Sequence, residues 1–350
     1  MQRWALAVTA ILMIVAKTHA HAVTIDWVTV GDAGNAADTT GDPNPAGAVA
    51  DEFRIMKFEW MNTQYVDFLN AVDPDGLNPQ GIYSASMGSN ARGGISFDTN
   101  ASAGSKYATK TDMGDKPVNY ISWFEAARVA NWLHNGGLLY GTTDSSASAP
   151  QNTGAYTLGT ATSGSAFTRN LGAQYFIPTE NEWYKAAFYK GSGTNAGYWD
   201  YLTQSDTAPT AVTSGTTGIG SASTGTIGSG TGNFANFNRA ADWNGQDGNV
   251  TTVGTNGEPS AYGAFDMGGN VWEWNETLIG SSRGLRGGGW NDNHLGAFNL
   301  SSSSRLPVDP SFEDDNIGFR LAAVPEPSTG LLVVLGLGGL LLKRRKTGTL

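Results

Sequence analysis

Glycine recurs 47 times in 350 residues, on average about one in every seven. A glycine inside a helix or strand costs roughly 0.5–1 kcal/mol relative to alanine. Such spacing works against long regular elements and favours turns, bulges and close approaches of backbone. The 11 tryptophans and 14 phenylalanines argue that the chain still builds a core, since disordered chains are poor in aromatics. The expectation is an α+β domain low in regular secondary structure, and no internal repeat is evident across residues 23–324.

Three segments carry helix-start signals. Asn62 is placed to cap a helix in which Tyr65, Phe68, Leu69 and Val72 recur at i, i+3, i+4 and i+7, a single buried stripe. Ser122-Trp123-Phe124-Glu125 is a capping box, with a helix expected to about His134 before Gly136-Gly137. Thr179-Glu180-Asn181-Glu182 is a second box behind Pro178, with a helix expected to about Lys190 and Gly191 as its stop. Candidate strands are Thr24–Val30, Phe53–Phe58, Leu285–Trp290 and Gly318–Ala323. Residues 210–232 are nearly all Gly, Ser, Thr and Ala and are expected to form a flexible surface insertion; residues 141–170 are a milder case. Asp73-Pro74-Asp75-Gly76 and Asp242-Trp243-Asn244-Gly245 are expected to be turns.

The net charge is −10, and the chain between its ends is more acidic still, because Arg3, Lys17, Lys343, Arg344, Arg345 and Lys346 all lie outside residues 23–324. An acidic domain without a basic stripe is a poor nucleic-acid binder, since phosphate neutralisation supplies most of that affinity. The same acidity suits calcium. There is no cysteine, which excludes disulfides, thiolate metal sites and a thiol nucleophile. No Gly-x-Ser-x-Gly elbow, phosphate-binding loop or zinc-helix motif is present. The Ser301–Ser304 run is expected to be loop.

Both ends are expected to be addresses. Residues 1–22 have a positive start at Arg3, an apolar run Ala5–Ala16 and a small-x-small site at Ala20-His21-Ala22, the layout of a secretory signal peptide. A membrane helix would need about 20 apolar residues. At the other end, Pro325-Glu326-Pro327 is followed by the apolar run 329–342 and the basic cluster Lys343–Lys346. That order resembles the PEP-CTERM sorting signal of bacterial exported proteins. The resemblance implies an exosortase-type sorting protease as partner, acting near Pro325, Glu326 and Pro327. The basic cluster would stay cytoplasmic while the domain faces outward, transiently membrane-anchored by residues 329–342. The expected destination is the cell envelope, its outer surface or the extracellular matrix.

Across residues 23–323 a series of motifs occurs in order: Arg54–Glu59 with Asn62-Thr63-Gln64-Tyr65, Pro117–Trp123, Pro178-Thr179-Glu180 with Glu182-Trp183, Asp266–Trp274, Arg286–Trp290 and Gly318-Phe319-Arg320. Together they resemble the formylglycine-generating enzyme (sulfatase-modifying factor) family. The resemblance implies a variant of the C-type-lectin-like fold. Two stretches depart from the family pattern, Glu59-Trp60-Met61-Asn62 and Gly287-Gly288-Gly289.

The resemblance also implies two calcium sites. One would use the Asp266 and Glu273 side chains with the Gly269 and Val271 carbonyls; the other Asn236, the Phe237 carbonyl, Asp247 and the Asn249 carbonyl. The family's oxidase chemistry needs a copper-binding cysteine pair shortly after the Arg-Gly-Gly segment. Here that stretch is Asn291–Ala297, without a thiol, so no copper is expected. A related branch holds iron with three histidines, whereas residues 23–324 contain only His134, expected at a helix end, and His294. No catalytic residue is assigned. The expected role is a calcium-stabilised binding or surface module whose groove, near Trp290, Asp292 and His294, takes a peptide or glycan. The alternatives are an enzyme of the same family with cysteine-independent metal or oxidative chemistry, and a structural component of the extracellular matrix.

Overall fold

A computed structural model describes residues 23–293 and 296–325. The predicted signal peptide, His294 and the tail from Glu326 onward, including the apolar run 329–342, lie outside the described residues. The elements, in chain order, are β1 (Trp27–Val30), β2 (Phe53–Met56), α1 (Asn62–Val72), α2 (Ala85–Ser89), β3 (Ile95–Phe97), β4 (Tyr107–Thr109), α3 (Trp123–His134) and β5 (Tyr175–Phe176). There follow α4 (Glu180–Phe188), β6 (Thr210–Ala211), β7 (Phe234–Ala235), β8 (Trp272–Ile279), β9 (Ser282–Arg286), a 3-10 turn Gly296–Leu300, β10 (Leu306–Val308), β11 (Ile317–Gly318) and β12 (Ala322–Ala323). This is an α+β fold with little regular structure for its length. Among the described residues no helix is long and apolar enough to cross a membrane.

Two four-stranded sheets organise the chain. The first has the order β1-β2-β12-β5, so the last strand lies between strands from the first half, with Ala322 facing Ile55 on one side and Phe176 on the other. The second has the order β10-β9-β8-β11, built on a β8–β9 hairpin whose register shifts between Trp274 and Leu278. α3 packs against both sheets through β5 and β8.

Aromatic rings fill the space between these layers. Trp60, Trp123, Trp132, Trp183 and Trp274 are fully buried. Each such ring removes about 150–250 Å² from water, a gross gain on the order of 4–6 kcal/mol at about 25 cal/mol/Å². Trp60 stacks on Phe319 at 5.6 Å, Trp123 meets Tyr156 edge-on at 5.3 Å, and the Trp274 indole donates to the Ile121 carbonyl at 2.7 Å.

The capping boxes form as expected: Ser122 with Glu125 opens α3, and Thr179 with Glu182 opens α4. α3 ends at His134, whose Nδ1 accepts from the Gln174 backbone N–H at 3.1 Å. α4 stops at Phe188, short of Lys190. α1 buries Tyr65, Phe68, Leu69 and Val72 as expected, but its cap is Met61 rather than Asn62. The Asn62 amide instead donates to the carbonyls of Met113, Lys116 and Pro117, tying the helix start to a loop. Gln64 closes the first turn by accepting from the Met61 N–H at 3.0 Å.

Residues 210–232 do not form a loose insertion. β6 pairs in parallel with β7, Val212 is buried, and the Gly228 and Gly230 N–H groups both donate to the Gly254 carbonyl at 3.1 Å. A Cβ on Gly230 would fall 2.6 Å from the Gly257 oxygen. Small residues here let backbone touch backbone, and that use has the same composition as a linker. The stretch 141–170 is likewise held, by Arg128 and Asn131 of α3: Arg128 donates to the Ala161 carbonyl at 2.6 Å, and Asn131 accepts from the Tyr156 N–H at 2.7 Å. Both Asp-rich segments are turns; Asp73 caps the Leu77 and Asn78 N–H groups, and Asp242 accepts from Gly248.

Candidate functional site

The sequence motifs meet through buried charge. Glu180, the first residue of α4, accepts from Arg286 at the end of β9 at 2.7 Å and from Arg305 at 2.5 Å. Glu273 of β8 is held in a two-point pair by Arg320: Nη2 donates to Oε1 at 2.6 Å and Nε to Oε2 at 2.7 Å. Both members are fully buried, and the Trp183 indole adds a third donor to Glu273 at 2.7 Å. Glu59 accepts from the Asn270 amide at 2.8 Å and the Val271 N–H at 3.2 Å. Burial holds the Glu59 carboxyl well above its ordinary range. The charges of Asp266 and Glu273 add to this, and Arg320 opposes it.

Beside this centre opens a cavity of about 580 Å³. Its floor is Trp272 at the start of β8, with Asn316 and Asn291, whose side chains bond each other at 2.8 Å. Asp292 is fixed in its wall: one oxygen accepts from the Gly289 N–H at 2.6 Å and the other from the Asn299 amide at 2.9 Å. Burial raises its carboxyl above the ordinary value, opposed by the N–H donors of Gly289, Asn299 and Trp272. Arg239 and Arg305 supply cationic groups, Asp42 a second carboxylate, and the half-exposed Phe298 an apolar edge. Arg305 is positioned by Glu180, and the Asp42 carbonyl accepts from Arg286, so the motif ion pair builds one side of the groove. Its opposite side is tied to the core by backbone: the Asn238 N–H donates to the Asp292 carbonyl at 3.1 Å and the Arg239 N–H to that of Trp290 at 2.9 Å.

Of the groove residues expected from sequence, Asp292 lines the cavity and His294 lies outside the described residues. Trp290 does not line it. Its ring is buried with Met113, Trp243, Val250 and Val271, beneath the Arg92 guanidinium at 4.5 Å, and its indole donates to the Asp315 carbonyl. Arg239, Arg305, Asn299, Asn316 and Asp42 were not anticipated. They come from separate loops without a shared local motif; Arg305 directly follows the serine run, which is loop as expected.

The two expected calcium sites differ in their fit. Asp266 gives one oxygen to the Gly254 N–H and the other to the Asn256 amide, and both oxygens of Glu273 accept from Arg320. All four oxygens are engaged by N–H donors, and a guanidinium already balances Glu273. As placed, this pair does not fit a divalent cation, because the fold supplies its own positive charge there. The other set fits better. Asn236 is fully buried, its amide nitrogen donates to the Asn249 carbonyl, Thr251 and Asn270, and its Oδ1 has no donor. An orphaned buried oxygen costs about 1–3 kcal/mol unless something meets it. Phe237 and Asn249 belong to the same loop system, and Asp247 lies exposed beside them. Among the described residues no group of three or more His, Asp or Glu side chains converges as a metal site.

A family model described as "Sulfatase-modifying factor enzyme 1-like domain" matches residues 16–324, and one described as "PEP-CTERM protein-sorting motif" matches residues 323–346. Two curated relatives, the "Inactive C-alpha-formylglycine-generating enzyme 2" of Bos taurus and of Mus musculus, are each 37% identical over 68 residues. Those matches span 18% of this chain and under a quarter of each relative, 23% and 22%. Similar solved structures include Treponema denticola variable protein 1 (18% identity, TM-score 0.47, covering 87% of this chain and 97% of that one) and CarF (20%, 0.45, 87% and 99%). PvdO from Pseudomonas aeruginosa is a third (18%, 0.41, 86% and 92%).

Proposed function

Since the chain belongs to the family of sulfatase-modifying factor enzyme 1-like domains and carries a PEP-CTERM sorting motif, we propose that it is an exported, envelope-sorted binding module. It displays its groove at the cell surface and does not perform the family's thiol-dependent oxidation. The observation that carries this reading is the groove itself. Its wall and floor hold carboxylates, guanidiniums and side-chain amides, with the Trp272 ring in the floor and Phe298 at one edge, in a chain that has no cysteine. Such a set recognises polar, extended ligands through many directional hydrogen bonds, which favours a peptide or a glycan. Processing by an exosortase-type protease after transient membrane anchoring completes the proposal.

Calcium belongs to the same proposal at Asn236, the Phe237 carbonyl, Asp247 and the Asn249 carbonyl. A bound ion would supply structural rigidity behind the Asn238–Arg239 backbone that ties into the groove wall. The purified domain is tested on peptide and glycan arrays with calcium present, beside Asp292→Asn and Arg239→Ala variants that retain their melting temperature. Binding lost in both variants supports the groove; a blank array, or binding unchanged in the variants, counts against it. One observation favours a second reading. Asp292 is a cavity carboxyl raised by burial, the environment of a general acid. Turnover of any arrayed compound, abolished by Asp292→Asn, would replace the binding reading with an enzymatic one.

A further inference from the structure

One wall of the groove carries more positive charge than the fold balances. Glu180, almost wholly buried, is shared by two arginines. Arg286 donates Nε to its Oε1 at 2.9 Å, while Arg305 donates Nε to Oε1 at 3.0 Å and Nη2 to Oε2 at 2.5 Å. One carboxylate thus meets two guanidiniums, and the set keeps a positive charge. Burial holds the Arg286 guanidinium below its ordinary value; Glu180 opposes this, and the charge of Arg305 adds to it. The other Arg286 donors go to the carbonyls of Asp42, Ser302 and Ser304. Arg305 differs. Its side chain is 20% exposed and lines the cavity, and its Nη1 meets no acceptor among the described residues.

On the other side stands Arg239. Its N–H is pinned to the Trp290 carbonyl, and both it and Asn238 hold left-handed φ values, +53° and +61°. Residues other than glycine stay in that region only where their surroundings hold them there. The Arg239 residue is exposed, and its guanidinium makes no hydrogen bond or ion pair among the described residues, although its charge lowers the Asp315 carboxyl. The acids of the lining are unequal. Both oxygens of Asp292 are filled by the Gly289 and Asn299 donors, whereas the Asp42 carboxylate meets no donor among the described residues. Phe298 and Leu306, 48% and 40% exposed, give the rim its apolar part.

We propose that the groove takes an acidic peptide, which offers carboxylate to the Arg239 and Arg305 guanidiniums, a backbone N–H to the Asp42 carboxylate and an apolar side chain to Phe298 and Leu306. The proposal deepens the binding reading above and rests on it. A guanidinium presents its N–H groups as a fork that matches a carboxylate, and such charge-assisted bonds are the strong ones. A uronate-bearing glycan supplies the carboxylate, but neither the N–H for Asp42 nor an alkyl group for Leu306. The cavity, about 580 Å³, is of the size that holds a ligand of this kind. The carboxylate is that of an Asp or Glu side chain or of a chain end.

The test uses the full-length chain, purified in mild detergent with calcium present, on arrayed hexapeptides of random sequence, each printed with a free and with an amidated C-terminus. Bound peptides should be enriched in Asp and Glu, or should bind only with the free C-terminus; the contrast tells a side-chain carboxylate from a chain end. Replacing that carboxylate by its amide should weaken binding about tenfold or more. The Arg239→Glu variant, which removes an exposed and unpaired side chain, should keep its melting temperature and shift the preference toward Lys and Arg peptides. A purely structural Arg239 would leave the order of preference unmoved. Equal binding of acidic and neutral peptides, a preference for basic ones in the wild type, or an order unchanged by Arg239→Glu overturns the proposal and leaves the binding reading standing. Binding of a uronate glycan with no acidic peptide bound overturns it as well. A chain that binds no arrayed peptide and no arrayed glycan refutes the binding reading itself.

Discussion

Arg320 is the counter-ion for a buried acidic centre, and replacing it with methionine measures that role. The guanidinium is fully buried, makes a two-point pair with Glu273, and donates to the carbonyls of Met56, Phe265 and Asp266. Methionine keeps the length and packing but leaves Glu273, Asp266 and Glu59 without a cation. Removing one partner of a buried pair costs about 3–5 kcal/mol, against a total stability of about 5–15 kcal/mol. At about 2 °C per kcal/mol for a domain of this size, the melting temperature should fall by roughly 6–10 °C. The Glu273→Gln change removes the charge that Arg320 balances, so the double variant should recover a substantial part of that loss. Circular dichroism melts and urea titrations of the wild type, the two single variants and the double variant complete the cycle. A loss below about 1 kcal/mol in Arg320→Met, or strict additivity in the double variant, refutes the assignment, because residues in one buried network should couple by about 0.5–3 kcal/mol.

Calcium at 100 times its dissociation constant would add about 2.7 kcal/mol, so a chelator should lower the melting temperature of the wild type and leave Asn236→Ala unmoved; equal responses exclude the Asn236 site. Gly269→Ala should destabilise the domain severely, by more than about 3 kcal/mol, because φ is +80° and the new Cβ would meet the Asn236 backbone oxygen at 2.4 Å; a near-native urea midpoint would refute that close approach. Glu125 is raised well above its ordinary carboxyl value, first by burial and then by Glu313. Between the ordinary value near 4.5 and its raised one, the folded state holds a proton that the unfolded chain releases, so its contribution to stability falls as pH rises. Urea titrations from about pH 5 to about pH 8 should show that decline in the wild type and a flatter profile in Glu125→Gln; identical slopes would refute it.

What could be foreseen was local. Ser122 with Glu125 and Thr179 with Glu182 need only a three-residue spacing, and both boxes form. The α1 stripe follows from the same kind of periodicity, although Asn62 went to a loop because three carbonyls outbid the cap. Strand β8 was missed because Trp272-Glu273-Trp274-Asn275 is buried on every residue and shows no alternation. The ion pairs that join the motifs were equally hidden. Glu180 and Arg286 stand 106 positions apart, and nothing local to either names the other. Composition misled at residues 210–232, since a flexible chain and a tightly apposed backbone call for the same small residues. In the groove, Asp292 was placed from its position after Arg286–Trp290, while the Trp290 ring is buried with Met113, Trp243, Val250 and Val271. The acids expected to hold calcium at Asp266 and Glu273 instead meet a guanidinium that arrives from the closing Gly-Phe-Arg motif.

The place of β12 has a consequence for the order of events in the cell. The ribosome releases this chain from its N-terminus, yet β2 and β5 have no bridge between them until residues 322–323 arrive, and Glu273 has no counter-charge until Arg320 does. A chain that stops short of Arg320 lacks both the strand that joins β2 to β5 and the counter-charge of Glu273. The first sheet therefore cannot join β2 to β5 before the final strand is delivered. The last residues to enter the fold complete it, and the sorting address begins directly behind them.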